Sequence, residues 1–479
     1  MQLIDKGLIK FDYQFPLYNY FFPTQVGGIY QSSKKQLHEI MKVANCRARS
    51  RALYFHIPFC EAICSFCPFT RGLYKDAKAI DRYAKALIRE IEYKAEIMDL
   101  KAVPVRAVFF GGGTPSLLSP LNIEEIGNAL HRYFDLSALE EFSFEFNVTS
   151  VTEERARALA AIGVTHARFG LQTTDPEWRR LFNLDPDIGK VECAAERLNT
   201  HFGHVLCDIL YGMNGSCEQQ TLKDIDKAIM LGVTNVDIYP INNVATSVKL
   251  HKQIRSRFGE SMPATRKLNM KLMLDEHLRQ YGFVPYNGHG YVRMPGVAPE
   301  LFTDKYSFIY HEHVYGYADH DLLGFGVGAI SSVAGHVITN ELSREKYTQR
   351  MAAGEHVCQI SGHDPLLDVV KPLVVRLAYH GSIDKRLVEL GQMPEPLIRR
   401  LDQLIRAGLV LEDSDFYRLT RLGWLWYSNI MFFLMPTSEQ NVLKKMVYER
   451  LKAEGRDITE HELIYASELG NKRNAGIDS

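Results

Sequence analysis

No apolar run in this chain approaches the roughly 20 residues that a helix needs to cross a bilayer. The N-terminal MQLIDKGLIKFDYQF lacks the apolar stretch of a secretory signal. Neither sign of charge is in excess: the net charge of the 479 residues is −1, which argues against a broad surface for nucleic acid or anionic lipid. Low-complexity tracts are missing, as is any internal repeat beyond a strand–helix alternation. Cysteine is scarce, eight in all. With three of the eight clustered, metal use in a reducing, cytoplasmic setting fits better than a disulfide framework. No cysteine-rich C-terminal extension offers room for further clusters. What the chain does have is core material, 46% hydrophobic against 24% charged residues, the balance of a soluble globular protein. Its length exceeds one ordinary domain, so two or three units are expected.

The clustered cysteines stand in Tyr54-Phe-His-Ile-Pro-Phe-Cys60-Glu-Ala-Ile-Cys64-Ser-Phe-Cys67-Pro-Phe69, spaced C-x3-C-x2-C. They follow an apolar, strand-like run from Leu53 to Ile57. A loop this short can aim three thiolates at one centre, and core packing has no use for such spacing. Two metal readings compete on the residues alone. Structural zinc takes four ligands, and His56 could complete a Cys3His set. A [4Fe–4S] cluster usually takes four thiolates, so three would leave one iron open to a small molecule. Phe59, Phe66, Pro68 and Phe69 would shield a redox cluster from water, which zinc does not require. The bland alternative is three buried cysteines without a ligand.

This stretch resembles the signature of the radical S-adenosylmethionine (SAM) enzymes. Within them it is similar to the branch of oxygen-independent coproporphyrinogen III oxidase (HemN/HemW-like), whose members carry Y-x-H-[IV]-P-F-C before the three cysteines. The resemblance implies that Cys60, Cys64 and Cys67 hold a [4Fe–4S] cluster, with SAM on its open iron and Tyr54 and Phe66 beside the cofactor. It implies reductive cleavage of SAM to methionine and a 5′-deoxyadenosyl radical, fed by a low-potential donor such as flavodoxin or ferredoxin.

From about residue 52, strands and helices alternate. Strands are expected at Leu53–Ile57, Val105–Phe110, Phe142–Phe146, His166–Gln172, His204–Tyr211 and Asn235–Tyr239. Helices are expected at Asp76–Ile97 and near 121–134, 152–162, 187–200, 217–231 and 264–281. Repeated βα units imply an α/β protein with a parallel sheet, and six are fewer than the eight of a closed barrel. The resemblance implies an incomplete (β/α)6 barrel with one side open to a large substrate. The chemistry then belongs on the loops at the strands' C-terminal ends.

Those loops hold unusual residues. Gly111-Gly112-Gly113-Thr114-Pro115 lets backbone approach a ligand where a Cβ would clash, and lacks the Gly-Lys-Ser/Thr of a P-loop. Glu145, between Phe144 and Phe146, would be costly in an apolar strand without a partner; a salt bridge at the strand end would answer that cost. The resemblance implies that the GGGTP backbone and Glu145 contact SAM and that Asn147 lies near. It also places Arg168 and Gln172 on the SAM side, and turns Asp208 toward the ribose or a second cofactor. A buried structural role for Arg168 is the competing reading. This sequence departs from the family in lacking a serine near Phe169, and in Asn214 and Ser216-Cys217, where the family has proline and Gln-Thr.

Between 283 and 340 the sequence reads as irregular and rich in Gly, Tyr and His. His311 and His313 alternate as on a strand, lining a polar cleft or lying at the surface, with a second metal site as the alternative. Leu323–Ser332 resembles a glycine motif of the family and is expected beyond the barrel. After about 365 the pattern is helical. Helix Glu395–Ala407 with its stop at Gly408, the pair Leu409–Leu411 and Phe416–Leu419, and an apolar helix Leu422–Met435 suggest a winged-helix unit. Its acidic turn, Glu412 to Asp415, would repel phosphate. Cys193, Cys207, Cys217 and Cys358 read as structural, and Cys46 has no evident role. The expected division is a covering segment at 1–50, the barrel at 51–285 and its extension at 286–360. A substrate-covering unit at 361–452 and a mobile tail at 453–479 would follow.

The resemblance spans roughly residues 50–435. Phe69 stands where coproporphyrinogen oxidase carries a fourth cysteine, which counts against that reaction. The haem chaperone of the family also ends C-x-F but keeps a loop that is altered here. The favoured expectation is the class C methyltransferase branch with two SAM molecules. One supplies the radical, and the other gives a methyl-derived carbon to an sp² centre of a heteroaromatic or tetrapyrrole substrate. Coproporphyrinogen oxidation and non-catalytic haem transfer are the alternatives; neither nucleic acid nor a membrane is an expected partner.

Overall fold

The computed structural model describes residues 11, 21–24, 29–31, 33–67, 69, 72–74, 76–241, 248–259, 262, 264–294, 296 and 308–454. Six strands, Ser50–Ile57, Val105–Gly112, Glu141–Phe146, His166–Gln172, His204–Tyr211 and Asn235–Pro240, pair side by side in that order, all parallel. The helices between them start on side-chain caps. Asp76 accepts from the Ala79 N–H at the head of Ala77–Ile97, Ser119 from Asn122 at Pro120–Tyr133, and Thr152 from Arg155 at Glu153–Ala161. Such caps satisfy N–H groups that a first helical turn leaves without partners, which is why the helix starts fall close to those expected. Glu218–Met230 and Ala264–Gln280 follow the last two strands.

The sheet is wider than six strands. A further parallel strand, His320–Phe325, lies beside Ser50–Ile57, so the glycine motif expected beyond the barrel begins inside its sheet. Antiparallel strands extend both edges to a total of thirteen, with Ile29–Gln31 at one end and Phe283–Pro285 at the other. The stretch 283–340, expected to be irregular, supplies five of these thirteen described strands, His320–Phe325 included. They are short, and their glycines hide them. Gly326, for example, turns at φ +98 where a Cβ would sit 2.7 Å from the His56 carbonyl. His311 and His313 correct a second expectation: they lie on a helix, Ile309–Val314, rather than a strand. The buried Glu141 carboxylate accepts the Ile309 N–H at 2.6 Å and the Tyr310 N–H at 3.4 Å. That anionic cap comes from a strand distant in sequence, out of reach of local pattern.

Side chains alternate across each strand. One sheet face is apolar, with Phe55 stacked on Phe110 and Phe325 at 4.5 and 4.9 Å. The opposite face carries Tyr54, His56, Phe109, Glu145, Arg168, Asp208 and Asp237 in neighbouring register. Polar chemistry is thereby gathered on one face.

In the C-terminal region Ser382–Asp384, Phe416–Leu419 and Val410–Glu412 form an antiparallel sheet, one strand more than the expected pair. Helix Glu395–Arg406 stops before Gly408, at φ +74. The single helix expected over Leu422–Met435 is broken at Trp426 into Arg421–Leu425 and Tyr427–Leu434. The break accompanies a long-range tie, Trp424 Nε1 to the Asn287 carbonyl at 3.1 Å. Phe11, in the segment expected to cover the barrel, packs 5.7 Å from the Trp426 ring; most of residues 1–32 and the tail from 455 lie outside the described residues. Cys207 and Cys358 are buried, whereas Cys193 and Cys217 are exposed and serve no core. Among the described residues no helix is long and apolar enough to cross a membrane.

Candidate active site

The cysteine loop is held mainly by backbone. Cys60 is buried in a two-residue strand, Phe59–Cys60, parallel to Gly72–Leu73. The Cys67 N–H donates to the Cys64 carbonyl at 3.2 Å, and both side chains are half-buried. The loop leans on the segment after the fourth barrel strand. The Ser65 N–H donates to the Phe182 carbonyl (3.0 Å), Ser65 Oγ to the Leu181 carbonyl (2.8 Å), and Asn183 Nδ2 to the Ile63 carbonyl (3.0 Å). Phe66 meets Phe182 edge-on at 4.9 Å. Arg179 sits on Pro176–Leu181, a helix that the sequence pattern did not signal. It donates to the Leu171, Thr173 and Asp185 carbonyls. His56 bonds through Nδ1 to the Tyr54 hydroxyl at 2.9 Å. Among the described residues no three His, Cys, Asp or Glu side chains converge on a single-ion site, the His56–cysteine set included.

The three glycines are required by the chain itself. A Cβ on Gly113 would lie 2.6 Å from the Phe59 carbonyl oxygen, and one on Gly112, at φ +108, 2.5 Å from the His56 ring. The Gly113 N–H donates to the Ile57 carbonyl at 2.8 Å. The glycine turn is thereby pressed against the start of the cysteine loop, with the Thr114 side chain buried beside it.

Glu145 Oε2 accepts from the Gly112 N–H at 3.2 Å. Burial pushes its carboxyl up to about 7, against the pull of Arg168 and of that hydrogen bond. Gln172 ends its strand in the left-handed region, φ +65, at a bulge in the pairing, a strained backbone for a residue with a Cβ. Its Oε1 and Asp208 Oδ1 are buried without a hydrogen-bond partner among the described residues. Burial raises the Asp208 carboxyl, with Arg168 opposing and Asp237 and Glu145 adding. Buried acceptors left unmatched on adjacent strands want donors, and SAM offers an ammonium and ribose hydroxyls. The residues present fit that group.

Arg168 is the ion-paired residue. Its Nη2 lies 2.5 Å from Asp237 Oδ2, and Asp237 also accepts the Tyr286 hydroxyl at 2.7 Å and the Tyr239 hydroxyl at 3.3 Å. The salt bridge considered for Glu145 therefore belongs to Arg168, and its partner was missed. The signal existed: Asp237 interrupts an apolar strand just as Glu145 does. A second missed group is Tyr379, whose hydroxyl bridges His289 Nε2 at 3.1 Å and His311 Nδ1 at 2.8 Å. Burial holds His289 down at about 4 and His311 well below its usual value, so both imidazoles are neutral near pH 7. Only tertiary structure joins positions so far apart in sequence.

Glu145→Gln follows from these shifts. A carboxyl raised on folding binds its proton more tightly in the native state, so stability falls as pH rises from about 4.5 to about 7. Glutamine does not titrate. Ligand-free E145Q should therefore gain about 2–3 kcal/mol on the parent between pH 5 and pH 8, while SAM affinity drops. Urea unfolding at both pH values checks it; a pH-independent difference would remove the proposed burial cost.

The Radical SAM superfamily model matches residues 54–228. An anaerobilin synthase of Escherichia coli O157:H7 is 28% identical, over 80% of this chain and 83% of its own. The oxygen-independent coproporphyrinogen III oxidase of Escherichia coli K12 is 24% identical, over 89% and 94%. The haem chaperone HemW of Lactococcus lactis is 27% identical, over 60% and 71%. The solved structure of coproporphyrinogen III oxidase (HemN) from Escherichia coli shares the fold, with a TM-score of 0.70 at 21% identity, over 91% of this chain and 99% of that one. Residues 54–228 carry a radical SAM domain, and these relatives together support the radical SAM HemN/HemW-like family, which implies a [4Fe–4S] cluster and SAM.

Proposed function

We propose that this radical SAM enzyme transfers a methyl-derived carbon from a second SAM molecule to an sp² carbon of a tetrapyrrole. The observation that carries the reading is a wall of rings on the polar sheet face. Tyr54, Phe109 and Tyr310 are mutually stacked at 4.8 to 6.1 Å, Phe308 lies 5.4 Å from Phe109, and the Arg168 guanidinium sits 4.2 Å over Phe308. A wall of rings suits a flat conjugated substrate. Relatives named for anaerobilin, coproporphyrinogen and haem have tetrapyrroles in common. Phe69, in place of a fourth cysteine, favours the first of these over the second.

Cys60, Cys64 and Cys67 are the residues proposed to hold the cluster, which when bound supplies the electron that cleaves SAM to methionine and a 5′-deoxyadenosyl radical. The rest is work for side chains. Glu145, Gln172 and Asp208 accept hydrogen bonds from SAM, and the Gly111–Thr114 backbone lines its amino end. Arg168 opposes the protonation of both carboxylates. Phe66 and Phe182 keep water from the cysteine loop. Tyr379, between two neutral imidazoles, can accept a proton from one and give its own to the other.

The test is anaerobic incubation with SAM and a strong reductant, with and without haem or coproporphyrinogen, read by mass spectrometry. 5′-Deoxyadenosine and S-adenosylhomocysteine forming together, in a substrate-dependent ratio, is the expected result. Deoxyadenosine alone would replace methyl transfer by coproporphyrinogen-type oxidation, and neither product with tight haem binding would indicate a chaperone.

A further inference from the structure

Helix Val248–Phe258 carries no acidic residue. Its Leu250, Ile254 and Phe258 recur at four-residue spacing and pack into an apolar cluster with Trp178 and Phe182, the Phe258 and Trp178 rings stacked at 4.8 Å. That burial turns Lys249, Lys252 and Arg257 outward. With Leu181, Gln253 and Ser256 they line an open cleft of about 690 Å³. Arg180 is exposed on the helix alongside, and among the described residues the acidic group that reaches the patch is Glu177, 2.5 Å from Arg257. On a chain of net charge −1, this local excess of base is a property of the site rather than of composition.

Its place in the fold gives the patch a use. Leu181, in the wall of the cleft, is tied through its carbonyl to Ser65 Oγ at 2.8 Å. Ser65 follows Cys64 directly and stands two residues before Cys67. A molecule seated in the cleft is one hydrogen bond from the cysteine loop. We propose that this basic cleft docks a small acidic, low-potential one-electron carrier protein and so provides the electron entry to the loop. The inference rests on the radical SAM reading. The carrier would give up one electron, and the cluster that Cys60, Cys64 and Cys67 would hold would supply it to SAM, whose sulfonium S–C5′ bond would break to methionine and the 5′-deoxyadenosyl radical. Complementary charge raises the rate of encounter and orients the partner, and salt weakens both effects.

The double variant Lys249→Glu, Lys252→Glu separates docking from chemistry. With reduced flavodoxin as the probe, 5′-deoxyadenosine formation at low salt should fall about tenfold or more, and with dithionite it should be unchanged. Flavodoxin binding to the cluster-free protein, measured by calorimetry, should weaken by a similar factor and lose its dependence on salt. The control Lys35→Glu, Lys42→Glu, an equal charge change on exposed lysines of the helix Lys34–Arg47, should alter neither. Unchanged binding and unchanged flavodoxin-driven rate would overturn the proposal, as would equal losses with both reductants. If the parent protein yields no deoxyadenosine even with dithionite, the radical SAM reading fails, while the binding measurement still decides the docking site.

Discussion

Cys64→Ala is expected to leave a folded protein that retains little iron and forms no detectable 5′-deoxyadenosine. The two parts of that result have separate causes. The loop is shaped by main-chain bonds, Cys67 N–H to Cys64 O and Ser65 N–H to Phe182 O, and by packing of Phe66 on Phe182. None of these involves the Cys64 sulfur, and the side chain is only half-buried. Its loss should cost no more than about 1 kcal/mol. A cluster with three protein thiolates has no spare ligand, so removing one leaves two irons without protein sulfur. Iron analysis, circular dichroism and mass spectrometry of the anaerobically reconstituted variant check all three quantities. Cys193→Ala, at an exposed helix position, should match the parent in each. An iron-loaded Cys64→Ala protein that still cleaves SAM would remove Cys64 from the ligand set.

Much of this site was legible because the relevant signals are local. Three cysteines in one short loop, a run of glycines after an apolar strand, and a glutamate between two phenylalanines can each be read from adjacent letters. The six barrel strands were legible for a related reason: βα units repeat, and capping residues such as Asp76, Ser119 and Thr152 mark where helices begin. What escaped depends on contacts between distant positions. Ile309–Val314 is helical where a tyrosine–histidine alternation suggested a strand, since Glu141 caps it from elsewhere. The helix Val248–Phe258 lies between the last barrel strand and a longer helix, and its apolar stripe is three residues long. Its burial comes from Trp178 and Phe182, which belong to another loop. Asp237 was passed over although its pattern matched that of Glu145; the two differ in fate because one meets Arg168 at 2.5 Å and the other a backbone N–H at 3.2 Å.

That difference makes Asp237 the position with the largest expected effect on stability. It is fully buried, as is nearly all of the Arg168 side chain. Burial works against the guanidinium charge, but Asp237, Tyr286 and Asp208 hold Arg168 firmly protonated. Asp237→Ala would strand that cation and leave the Tyr286 hydroxyl without its acceptor. Breaking one half of a buried pair typically costs about 3–5 kcal/mol, and the lost tyrosine bond places this case in the upper part of the range. Removing both charges in Arg168→Met, Asp237→Leu should recover at least about 2 kcal/mol of the loss, because no buried ion remains to be solvated. The recovery should not extend to SAM binding. Without the guanidinium only the Gly112 N–H opposes the rise that burial imposes on the Glu145 carboxyl, so that carboxyl would be held protonated near pH 7, where a cationic ligand needs it charged. Urea unfolding of the ligand-free proteins and calorimetric titration with SAM separate the two outcomes. A double variant that regained stability and bound SAM normally would confine Arg168 to a structural role; one that regained stability alone would identify the ion pair as the element that sets the charge of the SAM site.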